Sequence, residues 1–128
     1  MRALPLLALS CAGFMASTPA PTTLVETPGP EPGAEQVIAA AQARCPVNLV
    51  GQIQWVSGPF VCGNEPRASG CAWPVTSGIS LTVSRRATVT ASALAYELAH
   101  VCLRQGDTAE VQAWSEAVNA AARAAGAP

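Results

Sequence analysis

The sequence predicts a small α+β domain over residues 34–128, and three observations predict it. Apolar and polar residues alternate over 47–56 and again over 79–84, the two-residue period of half-buried strands. Apolar residues recur at spacings of three and four over 90–104 and again after Asp107, the period of helices with one buried side. The order along the chain is helix, strand, loop, strand, helix, helix. The expected layout is an N-terminal helix, a short antiparallel sheet, a motif helix and a C-terminal helix.

Each element has a local reason. Glu35 to Arg44 are good helix formers, with Val37, Ile38, Ala41 and Cys45 as the apolar stripe and Pro46 as the stop. Val47 to Val56 reads as a strand, in which Val47, Leu49, Ile53 and Trp55 alternate with Asn48, Gln52 and Gln54. Ser57 to Pro74 reads as a loop carrying Cys62 and Cys71, with a short strand at Phe60 and Val61. Ile79 to Ser84 alternates cleanly and reads as a second strand with one buried face. Thr90 to Arg104 reads as a helix that buries Leu94, Leu98, Val101 and Cys102. Gly106 ends it, and Asp107 caps a last helix with Glu110 as its capping-box partner. That helix carries Val111, Trp114, Val118, Ala121 and Ala125 as its stripe.

Composition narrows the function. The 128 residues suffice for one domain of ordinary size. The net charge is −1, and the seven basic residues are all arginines scattered along the chain. Nucleic-acid binding is excluded as a partner class, because phosphate neutralisation needs clustered cations. Residues 11–33 are rich in proline, threonine, alanine and glycine. Such a segment buries too little surface to offset chain entropy, so a disordered or extended linker is expected.

The first residues have the layout of a secretory signal: Arg2, an apolar run from Ala3 to Leu9, then small Ser10. The run is too short to span a bilayer. Ala8-Leu9-Ser10-Cys11 resembles the bacterial lipobox. That resemblance implies a signal peptide over residues 1–10, lipidation of Cys11, and a membrane partner reached through acyl chains. The implied location is the cell envelope, at the outer membrane or on the periplasmic face. Export also suits the cysteines. Cys45, Cys62, Cys71 and Cys102 form an even set, which allows three pairings. Cys62 and Cys71 flank a Gly/Asn/Pro-containing loop that suits a local bridge, which would leave Cys45 to join Cys102 across two helices.

One constellation suggests chemistry. The helix over 90–104 contains Tyr96-Glu97-Leu98-Ala99-His100. It resembles the HExxH motif helix of zincin metallopeptidases, where two histidines at i and i+4 bind zinc and the glutamate acts as general base. The resemblance covers roughly Ile79 to Trp114 and includes the Gly106-Asp107 turn that follows. It implies that the Ile79 strand is the sheet edge along which a peptide lies. Here the first ligand position holds Tyr96, and His100 is the only histidine in the chain. If the site is active, Glu97 is the base, and His100, Tyr96 and Glu110, or Asp107 in place of Glu110, hold zinc. Phenol, with a free pKa near 10, is a poor zinc ligand at neutral pH.

The expectation is therefore a lipid-anchored envelope protein with an inactive zincin-like domain and no cofactor, whose cleft binds a peptide or protein partner. Two other readings stand beside it. One is an active zinc metallopeptidase with a tyrosine-containing site; the other is a structural, disulfide-stapled envelope lipoprotein unrelated to zincins.

Overall fold

In a computed structural model of the chain, residues 23–128 are described. The expected signal peptide (1–10), the lipidation site Cys11 and the first part of the expected linker lie outside the described residues. The rest is an α+β domain of three α-helices, a four-stranded sheet and a two-stranded hairpin. Among the described residues no helix is long and apolar enough to cross a membrane.

The first correction falls at residues 23–33, expected as linker. Strand β1 (Thr23–Thr27) pairs in parallel with β2 (Val50–Val56), from Thr23↔Val50 to Thr27↔Gln54. Two side-chain bonds secure it. Glu26 Oε1 accepts the Trp55 indole N–H at 2.8 Å and also the backbone N–H of Glu31. Arg85 Nε then reaches Glu31 Oε1 at 2.8 Å. The gain from a ladder and a charge-assisted anchor offsets the entropy that a proline-rich segment loses on ordering.

Helix α1 (Ala34–Gln42) buries Ala34, Val37, Ile38 and Ala41, as its stripe predicts. The Gln42 amide donates to Val47 O at 2.8 Å and accepts from Leu49 N at 2.8 Å, which fixes the turn into β2. A helix thus carries the chain from β1 to β2, the crossover that parallel strands need.

The sheet runs β1-β2-β6-β5, with β6 spanning Gly78–Ser84 and β5 spanning Gly70–Val75. It is mixed, not antiparallel: β2 and β6 are parallel, and only β5 and β6 run antiparallel. The reason is the long connection between β2 and β6, which returns the chain to the same end of the sheet. Gly51, at φ 147°, lets β2 lie close to β6, since a Cβ there would collide with the Ile79 carbonyl.

The expected loop over 57–74 contains three short strands. Besides β5, Phe60–Cys62 (β3) and Glu65–Ala68 (β4) form the hairpin. Strands β5 and β6 are joined by a two-residue turn, so Val75 and Gly78 form a hydrogen-bonded pair. Ladder alternation then directs the backbone groups of Cys71 and Trp73 towards β6, and Ser84 N indeed donates to Ser69 O at 2.8 Å. Gly70, Ala72 and Pro74 face the free edge, where the missing proline N–H breaks no ladder bond.

After a 3-10 turn over Val89–Ala91, Ser92 Oγ accepts the Leu94 N–H at 3.2 Å and opens α2 (Leu94–Leu103). Helix α2 ends where Arg104 adopts a left-handed φ of 55°, before the expected glycine at 106. Helix α3 (Ala109–Ala124) is capped by Thr108, whose Oγ1 accepts the Val111 N–H at 3.1 Å. Asp107 is not the cap, and Glu110 is not a capping-box partner. The buried stripe of α3 is Val111, Ser115, Val118 and Ala122, with Trp114 only partly buried beside it. One core joins Ile53, Trp55, Leu81 and Val83 of the sheet to Val37, Leu94, Leu98 and Val118 of the helices.

Both expected disulfides form. Cys45–Cys102 has a Cα separation of 5.1 Å and Cys62–Cys71 one of 6.0 Å.

Candidate functional site

Helix α2 positions the motif residues by its phase. Leu94, Ala95, Leu98, Ala99 and Cys102 face the core. Tyr96 and His100, one turn apart, point to the other side, and their rings meet edge to face with centroids 4.7 Å apart. Glu97 lies between the two faces and is 9% exposed.

The turn between α2 and α3 folds back over this surface. The Tyr96 hydroxyl donates to Asp107 Oδ1 at 2.9 Å, and His100 Nε2 lies 3.4 Å from the same oxygen. His100 Nδ1 is 2.8 Å from the Gln105 carbonyl. A carbonyl only accepts, so Nδ1 carries the proton, and the ring turns its Nε2 side to Asp107. Glu110 points elsewhere and accepts from Gln105 Nε2 at 2.6 Å.

The charges follow from these contacts. The hydrogen bond to Asp107 raises the Tyr96 pKa above the ordinary tyrosine value, and desolvation and the charges of Asp107 and Glu97 add to it. Burial raises the Glu97 carboxyl; nearby His100 opposes this and Asp107 reinforces it. Among the described residues no hydrogen-bond donor reaches the Glu97 carboxylate.

These residues do not fit the zinc centre that the resemblance implies. His100 keeps the orientation of a ligating imidazole, with Nδ1 held by a carbonyl. Tyr96, in the other histidine position, is a hydroxyl donor with a raised pKa, the opposite of the phenolate a metal needs. Glu110 is engaged by Gln105 and stands apart from His100 and Tyr96. Among the described residues no group of three His, Cys, Asp or Glu side chains is placed to hold a metal ion.

What the fold does bring together is a groove. Strand β5 forms one wall and α2 the other. One end is a cleft of roughly 480 Å³ with Glu65, Arg67, Gly70, Glu97 and Asp107 around it. The other end, roughly 400 Å³, is lined by Trp73, Pro74, Ile79, Val101 and Arg104. Ala72 and His100 belong to both. Gly70 permits this closeness: a Cβ there would sit 2.7 Å from Glu97 Cγ. The sheet edge beside the motif helix is thus β5, whereas the Ile79 strand β6 lies inside the sheet.

Sequence reasoning missed Glu65, Arg67 and Gly70 because it placed them in a disulfide loop. It offered Asp107 both as the helix cap and as an alternative zinc ligand; the cap falls to Thr108, and Asp107 turns to Tyr96 and His100. Comparison with protein-family models, curated proteins and solved structures finds no match.

Proposed function

We propose that the chain is an exported, lipid-anchored envelope protein. Its domain is a zincin-like scaffold that does not hydrolyse and that holds an extended peptide or partner segment between β5 and α2. The observation that carries the reading is the engagement of Tyr96 by Asp107 beside a free sheet edge. The phenol and imidazole that would stand as metal ligands are directed at one carboxylate, while the backbone of Gly70 and Ala72 stays open to a new strand. Strand addition at an exposed edge is a general mode of peptide capture. Two disulfides suit an oxidising compartment and so support export.

Zinc content and proteolysis together test the absence of hydrolysis. The full chain, purified without chelator, is expected to hold far less than one zinc per chain and to leave a casein substrate intact. Stoichiometric zinc with cleavage that disappears in Glu97→Gln would overturn the proposal in favour of the metallopeptidase. For the anchor, radioactive palmitate should label the chain but not its Cys11→Ser variant; label that persists on the variant sinks the lipidation site.

A further inference from the structure

We infer that the groove between β5 and α2 selects an extended peptide carrying a basic side chain, whose cationic head seats on Glu97. This rests on the peptide-binding reading above and adds the chemistry of the guest.

Glu97 is 91% buried by residue area, as its 9% exposure gives, yet no donor among the described residues reaches its carboxylate. Its oxygens border the cleft and keep a narrow opening to solvent, so the acceptor sites that no protein donor fills face the place a guest would occupy. Glu97 lies against Gly70, where a Cβ would sit 2.9 Å from its Oε2, on the edge strand of the sheet. A strand added to that edge brings alternate side chains over α2, because side chains one residue apart point to opposite faces. One of them therefore meets Glu97.

The charge around that position is negative. Glu65 and Arg67 face the cleft from β4, Tyr96, Glu97 and His100 from α2, and Asp107 from the turn before α3. Three carboxylates thus stand against one guanidinium. Arg67 sits on an exposed strand and makes no ion pair among the described residues. The opposite end of the groove is mostly apolar, with the Arg104 guanidinium at its rim, and suits an aliphatic rather than a second basic residue further along the same face of the guest. A lysine or arginine head complements the first end: it brings donors to an acceptor-only group and a positive charge to a negative cleft.

The probe is an acetylated, amidated seven-residue peptide of alanine and valine with one central lysine, beside the same peptide with norleucine in place of lysine. Both are titrated into the full chain in a mild non-ionic detergent while the backbone amides are followed by NMR. The lysine peptide is expected to shift the Gly70 and Ala72 amides and to bind about tenfold more tightly than the norleucine peptide, the scale of one charge-assisted bond. Glu97→Gln should abolish the difference and leave the weaker binding in place. In the wild-type chain, raising NaCl from about 50 mM to about 500 mM should shrink the preference and leave norleucine binding unchanged. Equal affinities, a preference that survives Glu97→Gln, or a preference insensitive to salt would overturn the basic-residue inference alone. If neither peptide moves those amides, edge binding fails, and the inference with it.

Discussion

Cys45–Cys102 closes a separation of 57 residues and fastens the turn after α1 to the inner face of α2, while Cys62–Cys71 closes 9 and ties the hairpin to β5. Cys102 sits in the apolar core with Leu94, Leu98 and Val118, all fully buried. Around Cys62 the hairpin is exposed along most of its length, and Val61 is 72% exposed. The same bond therefore serves two purposes. On the core side it reinforces packing that already has a dense apolar interior. On the groove side it holds in place a wall with little apolar packing of its own. Small exported domains use disulfides where the core is too small, and here one bridge also stabilises the surface that the proposal makes functional.

Removing the core bridge should give the largest effect. Cys45→Ala with Cys102→Ala is expected to lose about 4 kcal/mol on the loop-entropy relation. That is a fall of more than about 15 °C in a circular-dichroism melt. Removing the groove bridge, Cys62→Ala with Cys71→Ala, should lose about 2.5 kcal/mol. It should also speed hydrogen exchange in β3 and β4 while leaving the α2 amides protected. A larger loss from the second pair than from the first, or faster exchange throughout α2, would break the contrast between the two sides.

Glu97 gives a smaller effect of opposite sign. Its folded-state pKa lies above the ordinary glutamate value because it is buried. The folded chain thus holds the proton more tightly than the unfolded chain. The stability this contributes is fully present below the ordinary glutamate pKa and is lost as pH rises through the raised value. At neutral pH the native protein carries a desolvated carboxylate, so Glu97→Gln should raise the melting midpoint by a few degrees. The gain should shrink towards zero on acidification below the ordinary glutamate range. A variant less stable at every pH would show that Glu97 has a partner in the fold.

The smallest effect is expected at Tyr96. Its hydroxyl bonds Asp107 at the surface. Tyr96→Phe should leave the midpoint within about 2 °C, as exposed substitutions generally do. The same variant should move the His100 ring signals in NMR, because Asp107 loses one of its two partners on α2.

What could be read from the sequence follows the range of the interactions. The stripes of α1 and α2 and the position of β6 are local patterns, and each is found close to where the pattern puts it; the single buried face expected of β6 is not, because the strand lies inside the sheet and Thr82 and Ser84 are buried along with Leu81 and Val83. Strand β1 was not legible, because Thr23–Thr27 becomes a strand only by pairing with residues 27 positions further on, as the register Thr23↔Val50 shows. Within 57–74 the short strand at Phe60 and Val61 is found as β3, whereas β4 and β5 contain Pro66 and Pro74, which read as loop signals; both are tolerated in strands that have a free side. The start of α3 offered two cap candidates in adjacent positions. Asp107 with Glu110 matched the capping-box pattern, but Thr108 takes the cap and frees Asp107 for Tyr96 and His100. The motif residues were therefore legible, and their partners across the groove were not.

Pro74 limits what the free edge of β5 can do. An open edge ordinarily invites copies of the same chain to pair and then grow into an aggregate. Here the outward row of hydrogen-bonding groups is short, and at Pro74 it offers an acceptor without a donor. A brief guest strand can still bond to Gly70 and Ala72. A longer run of sheet cannot continue past the proline, so capture need not become polymerisation.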